Sequence, residues 1–196
     1  MDEFVPLEAM SLRPVNFFAF ELECYSLTDG KFEKRHILPD LSELSLEKGF
    51  AQVSLGWSRD GVSAVVEMPK QEELAVELFL DTRDIKSAGF NTRFCHHFLF
   101  DAKSGKEITH FRTEDKHELC NPLDLFVASE AGRTRLISKI FIPSHCLYGY
   151  DPDQFERLGF TYKLAAGRQE QHFCLSSAEY QIDQNPSLWC SLKLLP

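Results

Sequence analysis

The side chains best equipped for chemistry fall in two neighbouring stretches. Arg93-Phe94-Cys95-His96-His97 sets a thiol and two imidazoles in succession, and Glu77, Asp81 and Arg83 come shortly before them. Two adjacent histidines invite a metal ion. On a strand, however, successive side chains point to opposite faces, so His96 and His97 cannot chelate one ion from an unbroken strand. The same alternation separates Cys95 from His96 as a thiolate and base pair, and apolar surroundings raise a thiol's pKa. No Gly-x-Ser-x-Gly elbow, His-Glu-x-x-His helix or P-loop occurs. The residues therefore predict no catalytic group, no metal centre and no cofactor.

The two stretches read as strands because apolar residues alternate along them. Phe94, His96, Phe98 and Phe100 share one face, and Arg93, Cys95, His97 and Leu99 share the other. With the phenylalanine face in the core, His96 becomes a buried histidine that needs a hydrogen-bond partner. Val76, Leu78 and Leu80 line the core in the same way, which turns Glu77, Phe79 and Asp81 outward. Pairing consecutive strands brings Glu77, Asp81 and Arg83 near Arg93 and His97. Arginine donors and carboxylate acceptors are tools for holding hydroxyls or carboxylates, so these five residues form the candidate ligand site. A solvated salt-bridge network on an outer face would have the same composition.

Alternation extends over most of the chain. Strands are predicted over 19–25, 50–57, 62–68, 74–81, 92–100, 135–142, 159–165, 171–175 and 189–194, with Asp60-Gly61 supplying a hairpin turn. Residues 152–158 suggest a helical turn, with Pro152 early and acids in the first turn. Many short strands spaced by turns mean an all-β fold, a jelly-roll-like antiparallel β-sandwich with one or two short helical turns. At 196 residues the chain reads as a single domain, 1–196. A net charge of −9 repels phosphate backbones and argues against nucleic acid. No stretch is apolar for long enough to insert in a membrane. Met1-Asp2-Glu3-Phe4-Val5-Pro6 lacks the basic start and apolar run of a secretory signal, so a cytoplasmic location is expected. The six cysteines are scattered singly without a C-x-x-C pair, which disfavours zinc and suits reduced thiols.

From about Gly49 to Pro196 the order of motifs resembles the family 9 carbohydrate-binding modules and their DOMON-like relatives. The resemblance rests on Leu55-Gly56-Trp57-x-x-Asp60-Gly61-Val62, on Val76-Glu77-Leu78-Phe79-Leu80-Asp81, and on Ile140-Phe141-Ile142-Pro143 followed by Gly159-Phe160-Thr161-Tyr162. The ending Asn185-Pro186-Ser187-Leu188-Trp189 completes it. Residues 1–48, an N-terminal strand and connection, lie outside it. The resemblance implies a noncatalytic jelly-roll binding domain. In its sugar-binding members two tryptophans grip a terminal sugar, one just before the Val-Glu-Leu-Phe strand and one just before the C-terminal Asn-Pro step. Here those stretches read Pro69-Lys70-Gln71-Glu72-Glu73 and Tyr180-Gln181-Ile182-Asp183-Gln184, so Tyr180 is the one aromatic available as a platform. Trp57 and Trp189 sit where the family places scaffold aromatics. Two readings follow: a module whose partner is a carbohydrate, or a protein-interaction or structural domain that keeps the sandwich without sugar binding.

Overall fold

The computed structural model describes residues 21–41, 48–70, 73–86, 89–175 and 180–196. Their strands are β1 (Glu21–Tyr25), β2 (Gln52–Ser58), β3 (Gly61–Pro69), β4 (Ala75–Asp81), β5 (Cys95–Phe100), β6 (Gly105–Glu107), β7 (Phe126–Ala131), β8 (Arg135–Pro143), β9 (Arg157–Ala166), β10 (Gln169–His172) and β11 (Cys190–Leu195). They form two sheets. The larger runs β1-β11-β9-β4-β5-β6, with β10 also paired to β9, and the smaller runs β2-β3-β8-β7. Pairing is antiparallel throughout except between β1 and β11. This is the expected jelly-roll-like sandwich.

The alternation read from the sequence decides which face each strand buries. Val76, Leu78 and Leu80 of β4 stand opposite Phe100, Phe98 and His96 of β5, and opposite Leu164, Tyr162 and Phe160 of β9. The smaller sheet answers with Val62, Ala64, Val66 and Met68 of β3 and with Ile140 and Ile142 of β8. Two glycines are fixed by this packing. Gly61 opens β3 with φ 147°, and a Cβ there would lie 2.1 Å from the Ile142 carbonyl oxygen. At Gly105 a Cβ would meet the Phe100 ring at 2.4 Å, so only glycine lets β6 lie against that ring.

Three local features differ from the sequence reading. Strands β6 and β7 were not anticipated: β6 has three residues, and β7 is an exposed edge strand whose Phe126-Val127-Ala128-Ser129-Glu130-Ala131 buries no continuous face. The predicted helical turn over 152–158 is a single turn at its start. The Asp151 carbonyl accepts the N–H groups of Gln154 and Phe155, and β9 then starts at Arg157 because the run from Leu158 to Tyr162 pairs with β4 and β11. Helical structure among the described residues is confined to single 3₁₀ turns, at Lys34–His36, Pro122–Asp124, Ser144–Cys146 and Pro186–Leu188. Of the first predicted strand, 19–20 lie outside the described residues and 21–25 form β1.

Residues 21–38 stitch the two sheets along one side. β1 extends the larger sheet beside β11, while Leu38 donates to the Val53 carbonyl and lines the free edge of β2. Trp57 locks this seam, since its indole N–H reaches the carbonyls of both Cys24 and Leu195 at 3.0 Å. Trp57→Phe keeps most of the apolar contact and leaves both carbonyls without that donor. It should lower the unfolding free energy by about 2 kcal/mol, measured as a shift in urea midpoint at unchanged slope; an unchanged midpoint would show the seam to be dispensable.

Candidate functional site

The candidate residues lie on the outer face of the larger sheet, where register sets them in rows. In one row His172 of β10 stands opposite Lys163 of β9, Lys163 opposite Glu77 of β4, and Glu77 opposite Leu99 of β5. In the next row Thr161, Phe79 and His97 stand side by side. His97 Nε2 lies 2.8 Å from Glu77 Oε2, and its ring stacks on Phe79 with centroids 4.1 Å apart. The hydrogen bond from His97 lowers the Glu77 pKa, against the upward push of burial, with the charges of His97, Lys163 and His172 adding to the lowering. Lys163 also pairs with Glu170 at 3.0 Å.

One end of this face is covered. Phe79 and Asp81 are each 1% exposed, because Trp189 packs against Phe79 and its indole donates to the Ile182 carbonyl at 2.7 Å. A second segment joins from the other side, with the Thr109 hydroxyl accepting the His97 N–H at 2.8 Å. Asn91 ties the two covers together by donating to the carbonyls of His110 and Asp183. Residues 21–41 take no part in this cover; they pack at the seam between the sheets.

The other end is open. Ala75 and Ala165 stand directly opposite each other, two residues from Glu77 and Lys163 on the same face. Their methyl groups leave a groove of about 640 Å³, rimmed by Glu73, Asp101, Ser104 and Gly167. Asp101 shapes the rim: its carboxylate accepts the N–H groups of Lys103 and Ser104 and the Ser104 hydroxyl. Those bonds hold its pKa down. An apolar floor with polar groups at one margin is the usual form of a small-molecule site.

The structure brings together only part of the predicted cluster. Glu77 and His97 pair beside the groove. Asp81 turns inward, where Oδ1 accepts the Arg83 N–H and Oδ2 the Ile85 N–H, so it closes the loop after β4. Burial raises its pKa despite those two bonds. The Arg83 guanidinium lies 3.5 Å above the Phe155 ring and 4.9 Å from that of Phe94, and it donates to the carbonyls of Thr82 and Gly149. Arg93 pairs with Asp115 at the surface. Tyr180 is half-buried against the core. Lys163 and His172, which the sequence reading did not single out, complete the row with Glu77; their strand was legible, but only the register shows whom they face.

His96 finds its partner across β6. Its Nδ1 lies 2.8 Å from Glu107 Oε1, and His117 Nε2 reaches the same oxygen at 2.9 Å. Glu107 Oε1 also accepts the Thr109 hydroxyl, and Oε2 accepts the Cys120 N–H. The other nitrogen of His117 faces the Arg93 carbonyl. Both its nitrogens thus face oxygens. Burial alone would raise the Glu107 pKa, yet the bonds from His117, His96 and Cys120 outweigh it and hold the group at about 2. His96 is lowered by burial and remains neutral, donating through Nδ1. His96 and His97 point to opposite faces, as strand alternation requires. Burial pushes the Cys95 thiol up to about 12, far from a nucleophile's range.

No protein-family profile matches the chain, and no curated relative does. Solved structures do. A family 9 carbohydrate-binding module from Caldicellulosiruptor kristjanssonii in complex with cellotriose superposes with a TM-score of 0.55 at 16% identity, covering 89% of this chain and 93% of that one. A family 9 module from the same organism in complex with glucose gives 0.56 at 15% identity, covering 90% and 95%. The chain has the family 9 module fold.

The Glu107 cluster provides a direct test of what is structural here. Glu107→Ala leaves His96, His117, the Thr109 hydroxyl and the Cys120 N–H without their shared acceptor inside the fold and should cost about 3 kcal/mol, the scale for leaving buried polar groups unsatisfied. Equilibrium unfolding measures it, and a loss below about 1 kcal/mol would show these bonds to be incidental.

Proposed function

We propose that the chain is a noncatalytic binding domain whose ligand is a glycan, held in the groove over Ala75 and Ala165. The observation that carries this reading is the fold shared, over nine tenths of the chain, with modules solved in complex with cellotriose and glucose. The groove supports it. Its floor is small and apolar, Glu77 and Lys163 stand one row away as acceptor and donor for hydroxyls, and the Asp101 turn presents Ser104 at the rim. Among the described residues no aromatic ring lines the groove, so their part in recognition rests on hydrogen bonds rather than on stacking, and the affinity falls below that of a tryptophan-gripped sugar. The noncatalytic reading is supported by the Cys95 thiol, which burial pushes up to about 12, far from a nucleophile's range.

A second reading, a protein-interaction domain, draws on a different surface. Leu123 is 90% exposed and Phe126 55%, and Phe126 joins Phe32 and Phe141 around a groove of about 440 Å³ on the smaller sheet.

Titrating glucose and cellotriose into isotope-labelled protein separates the two. Glycan binding predicts saturable amide shifts at Ala75, Ser104, Ala165 and Gly167, abolished by Ala75→Leu, which fills the floor, and weakened about tenfold by Glu77→Gln through loss of a charged acceptor. A spectrum that both sugars leave unchanged would overturn the glycan reading, as would shifts confined to Phe32, Phe126 and Phe141.

A further inference from the structure

We propose that the base of the β7–β8 hairpin is a binding site for a divalent ion of the zinc class, held by Asp124, His145 and Cys146. The hairpin itself assembles the site. Phe126 pairs with Phe141 at its open end, so the segment entering β7 and the segment leaving β8 run side by side there. Asp124 ends the 3₁₀ turn that precedes β7, and His145 and Cys146 end the one that follows β8. One ligand atom from each of Asp124, His145 and Cys146 lies within 4.8 Å of the other two.

Spacing distinguishes this cluster from the one around Glu107. There the nitrogens stand 2.8 and 2.9 Å from the carboxylate oxygen, the length of hydrogen bonds, and protons account for every contact. At the hairpin base His145 Nε2 stands 3.4 Å from Asp124 Oδ2, beyond the roughly 3.2 Å of a good N–H···O bond. A separation of 3.4 Å is the edge of a tetrahedron whose centre lies about 2.1 Å from each donor, the zinc distance for imidazole nitrogen and carboxylate oxygen. One thiolate, one imidazole and one carboxylate make a set that selects zinc over calcium or magnesium, which take oxygen ligands, and leave a fourth position to solvent. His145 and Asp124 are 66% and 42% exposed, while Cys146 is buried, so an ion reaches the site from solvent and ends against the core. Binding must displace the proton of the Cys146 thiol.

The test uses the full chain, reduced with a phosphine and freed of metal by chelator and dialysis. Zinc is expected to bind at one equivalent by calorimetry and to raise the melting temperature, reversibly on adding EDTA. Cobalt(II) in its place should give visible bands of tetrahedral form and a near-ultraviolet thiolate-to-cobalt band. Cys146→Ser should remove the thiolate band. His145→Ala and Asp124→Asn, at exposed positions that do not threaten the fold, should each weaken zinc by at least about tenfold, a loss that outer-shell changes alone can reach. Three results would overturn the proposal: no zinc retained, cobalt bound without a thiolate band, or zinc affinity unchanged in His145→Ala.

Discussion

A carboxylate with no exposed surface imposes the strictest demand in this fold. The Glu107 side chain is 0% exposed, and an ionised group so placed is tolerable only if each oxygen is satisfied by hydrogen-bond partners. The chain meets the demand with groups drawn from well-separated positions: His96 of β5, Thr109 and His117 beyond β6, and the backbone N–H of Cys120. Meeting it has geometric consequences. The irregular stretch between β6 and β7 is drawn against β5, Thr109 is set where its hydroxyl accepts the His97 N–H, and Cys120 is fixed beside Cys146. Both the covered outer face and the hairpin base depend on where this stretch lies.

Covering one end of the outer face accounts for the shape of the other. Aromatic and polar groups at Phe79, His97 and Asp81 require a lid, and Trp189 with Ile182 supplies it, clamped through Asn91. Beyond Glu77 and Lys163 the side chains shrink to Ala75 and Ala165, and the sheet face lies open. Small residues at matched positions on adjacent strands are thus what turn a flat sheet into a groove.

Whatever depends on the two-residue period of a strand was legible in the sequence. The faces of β4 and β5, their pairing, the burial of His96 and the hairpin at Asp60-Gly61 all follow from alternation and turn chemistry, because strand geometry leaves no other arrangement. What depends on register or on irregular chain was not. Glu107 and His117 sit in a charged stretch with no period, so nothing marks them as partners of His96. Asp81 and Arg83 have the composition of a ligand site, but local backbone donors and two phenylalanine rings claim them first. The cysteines showed no metal spacing because the spacing that matters there is across a hairpin rather than along the chain.

Edge strand β7 explains why that hairpin base matters. A short edge strand with an exposed Phe126 offers unpaired backbone groups, and β7 is held to the sheet by β8 alone. Along its length the hold includes the Ser129–Ser138 hydroxyl contact and the Lys139–Glu130 ion pair, both modest in strength. At the turn end the hairpin closes covalently through Gly132, whereas at the open end nothing covalent joins Phe126 to Phe141. Residues able to clamp that end are worth most where they stand, since a restraint there holds β7 between two fixed points. The buried Cys120 N–H to Glu107 bond supplies one such restraint, and the convergence of Asp124, His145 and Cys146 supplies the means for a second.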